Sequence, residues 1–128
     1  MDPAAVLADS VVEVSAESYA VVTADSEVPG AFATIDDGRE TTHVVPEEQL
    51  SDVETIDATR GWTLFTFDVV LPFELVGFLA VVASALAEAE IPVFVLSAYS
   101  TDHILVREHD AASAVETLSD LGCEVREP

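Results

Sequence analysis

The amino-acid sequence predicts an α+β fold, and three observations carry that prediction. The second half of the chain alternates between strand-like and helix-like periodicity twice over. The first half reads as strands and turns with no long helix. Half of all residues are apolar, enough for a real core in a chain of 128 residues.

Trp62 to Leu71 (WTLFTFDVVL) opens the readable half. Phe65, Phe67, Val69 and Leu71 recur at period two, with Thr66 and Asp68 between them, so the stretch reads as a strand. Pro72 stops it and suits the first turn of a helix, where a missing N–H is harmless. The helix is expected to run to about Ala89, with Leu75, Leu79, Val82 and Leu86 as its core stripe. Phe78, Val81 and Ala85 then fall on its back, which lacks a polar face. Large apolar groups left in water forfeit about 1.5–3 kcal/mol each. The helix is therefore expected to be covered on both sides, by the N-terminal half or by a second subunit.

Pro92–Tyr99 and His103–Arg107 read as two strands joined by a polar turn at Ser100, Thr101 and Asp102. Asp110 is placed to cap a second helix. Ala111, Ala114, Val115, Leu118 and Leu121 recur along that helix at helical spacing, and Gly122 suits its C-terminal end. Cys123–Arg126 closes the run as a short strand. The order is βαββαβ, the split arrangement of ferredoxin-like folds. Residues 61–128 are taken as that unit.

Residues 1–60 are taken as a degenerate, β-rich partner. Val11–Val14 and Tyr19–Thr23 read as strands, and Pro29-Gly30 and Asp36-Asp37-Gly38 as turns. Ala31–Ile35 is expected to pair with Thr41–Val45. Pro46–Leu50 suits one helical turn and Val53–Ile56 one more strand.

Charge excludes several functions. The chain carries 25 acids against 4 bases, a net charge of −21, and all four bases are arginines: Arg39, Arg60, Arg107 and Arg126. A nucleic-acid partner needs clustered cations, which four scattered arginines do not supply. The acids lie among apolar runs, unlike a disordered acidic tail. The composition points to a folded, carboxylate-coated protein adapted to high salt, where self-repulsion is screened within about 3 Å at 1 M. The single cysteine, Cys123, allows no intramolecular disulfide and reads as a small buried hydrophobe. Residues 1–10 lack the positive start of a signal peptide, and no apolar run approaches 18 residues. A cytoplasmic protein with no membrane partner is expected.

No cofactor or metal is expected from the motifs. Neither GxGxxG nor a phosphate loop occurs. His103 and His109 have no short-spaced partner for a metal. Ser97 or Ser100, Asp102 and His103 include the residue types of a catalytic triad, without a nucleophile elbow. An enzyme is therefore not expected.

The sequence from Gly61 to Val125 resembles the ACT-domain family, in particular its stand-alone tandem members related to the CASTOR-type arginine sensors. Gly61-Trp62, LPFELVGFLAVVASALAEAEIPVFVLSAYSTDHILV (Leu71–Val106) and Leu121-Gly122 carry the resemblance. Upstream, ETTHVVPEE (Glu40–Glu48) is similar to a strand of the first unit in such proteins. The resemblance implies tandem ACT-like units, homo-oligomers such as dimers, and no catalysis. It implies an amino acid or similar small effector bound at a unit or subunit interface. By position, the implied ligand-binding residues are Pro72, Phe73, Glu74, Gly77, Ser97, Tyr99, Thr101 and Asp102.

Departures temper that reading. Where such proteins have D-F-S-L-T-G, this chain has Pro72-Phe73-Glu74-Leu75-Val76-Gly77; Y-D-T-D becomes Tyr99-Ser100-Thr101-Asp102. Three polar positions are thereby changed. Glu74, in the expected first helical turn, would occupy the dipole end that a ligand carboxylate needs. Gly77 would allow close approach of a ligand or a helix. Asp102 suits a ligand ammonium, and equally a turn. The alternative function is a protein–protein assembly module that has lost its ligand.

Overall fold

A computed structural model describes residues 2–128, and the chain divides into two compact units. The larger combines the residues up to Ala16 with Thr63–Pro128; the smaller is Glu17–Trp62. Residues 2–16 thus group with the C-terminal half, where the sequence put the boundary at residue 60. The cause is a single long strand, β1 (Val11–Thr23), which replaces the two short strands expected there and contributes one half to each unit. A second long strand, β4 (Asp57–Asp68), is shared in the same way. It absorbs Gly61 at a φ of +81°, and no strand forms at Val53–Ile56.

The larger unit adds α2 (Phe78–Glu88), β5 (Val93–Ser97), β6 (Asp102–Arg107), α3 (Ala111–Asp120) and β7 (Glu124–Arg126), so the βαββαβ order is present. Its hydrogen-bonded order is β7-β1-β4-β6-β5. The last strand pairs with β1, in parallel, with Val12 opposite Val125. β5 and β6 form the expected hairpin, with Ser97 opposite Asp102.

A helix the sequence reading overlooked, α1 (Pro3–Ala8), precedes β1. Asp2 caps it through a 3.0 Å bond from the Ala4 N–H, and Pro3 supplies a preset φ at its first position. Six residues are too few to show periodicity. Leu7 of α1 is buried with Val12, Phe65, Phe67, Phe78, Val82, Leu86, Ile104, Val106 and Leu118 in the core of this unit. Phe67 and Phe78 meet edge to face at 5.4 Å, a contact worth about 0.5–1.5 kcal/mol beyond its area.

α2 differs from expectation in start and facing. It begins at Phe78, six residues after Pro72, because Gly77 is left-handed at a φ of +92° and interrupts helical geometry. Phe78, expected on the back, is core, while Leu75 and Leu79 are half-buried. Ala80, Ser84, Ala87 and Glu88 face solvent. The back face expected to need cover therefore has it in part from within the chain: Phe78 is buried, Val81 packs against the core, and α1, from the N-terminal half, lies against α2. What stays in water is small or polar and forfeits little. α3 follows its expected spacing, with Ala114 and Leu118 buried and Gly122 just past its end at a φ of +97°. Asp110 stands at its N-terminus without a side-chain cap bond, and its carboxylate lies 3.4 Å from His109.

The smaller unit contains β2 (Ala33–Asp36) and β3 (Thr41–Pro46), antiparallel across the turn at Asp37-Gly38, in the order β2-β3-β1-β4. One 3-10 turn spans Glu47–Leu50, as expected of that segment. Its core is small: Ala20, Val22, Ala24, Val28, Val45 and Leu50. No α-helix lies wholly within it.

Candidate functional site

β4 ends at Asp68 and the chain runs as a loop to Gly77. Two contacts shape the loop. The Leu75 N–H donates to the Pro72 carbonyl at 3.0 Å, closing a four-residue turn over Phe73 and Glu74. The Leu71 N–H donates to the Ser100 carbonyl at 2.7 Å, tying the loop to the β5–β6 turn. That turn is held in its own right. The Ala98 N–H donates to the Thr101 carbonyl at 2.9 Å, and the Thr101 hydroxyl donates to the Phe67 carbonyl at 2.8 Å. The Ser97 hydroxyl donates to Asp102 Oδ1 at 2.6 Å.

Between these two segments lies a cavity of about 240 Å³. Leu71, Pro72, Phe73, Leu75 and Gly77 line one side, the first residues of α2 the base, and Ser97–Asp102 the other side. Seven of the eight expected ligand-binding residues line it: Pro72, Phe73, Gly77, Ser97, Tyr99, Thr101 and Asp102. Glu74 does not. It is exposed in the loop, outside the helix, so its expected place at the helix dipole is overturned by the late start of α2.

The first turn of α2 consequently carries no acid, and Gly77 offers no side-chain cap. The first helical bond is Val81 N–H to the Gly77 carbonyl at 3.1 Å. The N–H groups of Phe78, Leu79 and Ala80 lie in the turn that has no intrahelical acceptor, at the positive end of the helix. Facing them across the cavity, Asp102 is the one carboxylate in the lining. The mouth is apolar. Phe73 and Tyr99 meet edge to face at 5.0 Å, and they are 74% and 82% exposed. Val70 and Val76 on the same loop are 77% and 82% exposed. Sequence reasoning did not single out Val70; its strand-like neighbours hid it.

The residue types of a triad are not assembled as one. Ser97 holds Asp102, while Nδ1 of His103 meets the Thr66 hydroxyl at 3.0 Å. Burial pushes the His103 imidazole below its ordinary range, with Asp102 opposing in part. Burial likewise pushes the Cys123 thiol up, and its Sγ lies 3.3 Å from the Leu7 carbonyl. Among the described residues no three metal-ligating side chains cluster, and no helix is long and apolar enough to cross a membrane.

A family model described as the ACT domain matches residues 57–120, half of the chain. Among solved structures, the chain is similar to the protein Atu0741 from Agobacterium tumefaciens, with 23% identity, 93% of each chain covered and a TM-score of 0.78. It is similar to VC0802 from Vibrio cholerae, a protein described as of unknown function, with 25% identity, 93% of this chain and 94% of that one covered, and a TM-score of 0.75. The ligand-free regulatory subunit of aspartate kinase from Thermus thermophilus shares the fold at 10% identity, with 88% and 96% covered and a TM-score of 0.62. No curated protein sequence matches the chain.

Proposed function

The chain belongs to the ACT-domain family, and from that premise we propose that it is a non-catalytic regulatory protein whose effector, an amino acid or similar small molecule, binds beside Gly77. The observation that carries this reading is the cavity itself. It joins the loop before α2 to the β5–β6 turn, and its two sides offer opposite chemistry. Unpaired N–H groups at the start of α2 suit a carboxylate. Asp102 suits an ammonium. Occupancy would tie the loop of residues 69–77 to the turn and shift the conformation or assembly of the protein through differential affinity.

Val70 and Val76, exposed on the loop before α2, support a dimer in which a second copy covers them. Leaving each in water forfeits about 1.5–3 kcal/mol. A net charge of −21 supports work in high salt, where two such copies can approach.

The test is calorimetric titration in molar salt against the amino acids, with a thermal midpoint for each. At a concentration about 100 times its dissociation constant, a true effector stabilises by about 2.7 kcal/mol. Flat heats and unchanged midpoints across the panel would remove the proposal. The exposure of Val70, Phe73, Val76 and Tyr99 also favours a second reading, a ligand-free assembly module. Light scattering separates the two: an oligomer of fixed size, indifferent to every amino acid and dispersed by Val76→Asp, supports assembly alone.

A further inference from the structure

Resting on the effector reading, we infer that the ligand carries an amine on an uncharged apolar body, as an apolar α-amino acid does, and that the site refuses acidic side chains. Asp102 is the single charged side chain in the lining. None of the four arginines lines the cavity, and His103 is turned to Thr66. A ligand with a second carboxylate would therefore meet no cation. It would sit near Asp102 inside a chain of net charge −21, where like charges at about 4–6 Å disfavour one another.

Asp102 is prepared for a donor. Ser97 occupies Oδ1 at 2.6 Å and fixes the carboxylate, which leaves Oδ2 for an ammonium. With that carboxylate engaged by the α-amine, nothing remains in the lining to pair a charged side chain. What remains is apolar. Leu71, Leu75 and Leu79 contribute aliphatic wall, and the exposed Phe73–Tyr99 pair offers ring surface that a ligand body would cover.

The experiment is titration of the full chain in molar sodium chloride with L-leucine, L-glutamate and L-arginine, repeated on Asp102→Asn and Tyr99→Ala. Asparagine keeps an acceptor for the Ser97 hydroxyl, and Tyr99 is exposed, so both variants retain the thermal midpoint. Leucine should bind the unaltered protein, with glutamate weaker by about 100-fold. Asp102→Asn should lose about tenfold or more in leucine affinity, the scale of one charge-assisted hydrogen bond. Tyr99→Ala should lose several-fold. Glutamate within tenfold of leucine, or leucine binding indifferent to both substitutions, would overturn the inference. A preference for arginine over leucine would overturn the apolar class and leave the effector reading standing. Silence with all three would remove the inference and count against the effector reading too.

Discussion

The two units share a local plan and differ in what was built onto it. Each has a left-handed glycine in the loop that follows one of the long strands, Gly30 at a φ of +78° after β1 and Gly77 at +92° after β4. Each has a strand that reads Thr-x-His followed by two branched or aliphatic residues: Thr41-Thr42-His43-Val44-Val45 in β3, Thr101-Asp102-His103-Ile104-Leu105 at β6. In both, the histidine Nδ1 meets a strand threonine, Thr34 at 2.9 Å and Thr66 at 3.0 Å. Both strands run into a 3-10 turn. Then they diverge. After Gly77 the chain makes α2, and after the second 3-10 turn it makes α3; the smaller unit makes neither. Its main core cluster accordingly holds no aromatic residue, Tyr19 being buried outside it, while the larger unit buries Phe65, Phe67 and Phe78 together. Helices supply one unit with a deep core and with the base of its cavity.

Charge sharpens the contrast. Residues 17–62 carry eleven acids and two arginines, a net −9 in 46 residues; the remaining 82 residues carry fourteen acids and two arginines, a net −12. The smaller unit therefore has the denser charge and the smaller core.

Substitutions in the two cores should differ most. Phe67→Ala should cost about 3–5 kcal/mol in denaturant unfolding, because it removes a fully buried ring and its partner contact with Phe78. Val22→Ala should cost about 1.5–2 kcal/mol, the value of two buried methyl-sized groups. Equal losses would break the contrast. Salt comes next. Diluting from molar to about 0.1 M salt lengthens the screening distance from about 3 Å to about 10 Å. Hydrogen exchange should then rise first in residues 17–62, ahead of the amides of β6 and α3. Simultaneous opening would show a single cooperative unit.

Glycines give a smaller effect with a clear order. At Gly122 an added Cβ would stand 3.0 Å from Ala8 Cβ and 3.2 Å from its Cα, on top of a left-handed φ. At Gly38 nothing lies within 4 Å, and the φ of +84° is the whole penalty. Gly38→Ala should lose about 1 kcal/mol and Gly122→Ala more than that, read as thermal midpoints. The smallest effect is on pH. His103 is held below its ordinary range in the folded state, so the unfolded chain takes up the proton first as pH falls through about 6.5. Stability contributed by neutral His103 is thus full above that pH and declines below it. His103→Gln should flatten the fall in thermal midpoint between pH 7.5 and 5.5 by about one or two degrees.

How much of this could be read beforehand depended on periodicity. β5, β6, α3 and the β2–β3 hairpin are strongly patterned and lie close to where the sequence puts them. The start of α2 was hidden because Pro72 and Leu75 both satisfy a helix, while the decisive residue, Gly77, is tolerated by the pattern and forbids the geometry only once its φ is positive. The course of β1 was hidden by polar residues at its middle, Ser15 to Ser18, which read as a break between two strands. α1 was too short for any period, though Asp2-Pro3 is a cap-and-proline start. The cavity's residues were legible through family motifs and the hairpin signal. The exposure of Val70 and Val76 was not, since an apolar residue carries no mark of being left outside.

The central claim is that a small molecule occupies the cavity of the larger unit. Amide chemical shifts of the isotopically labelled protein, followed in molar salt as leucine is added, test it most directly. The account predicts saturable shifts at Phe73, Gly77, Tyr99 and Asp102, with Gly30 and His43 still. Shifts centred on Gly30 and His43, or none at either place, would contradict it.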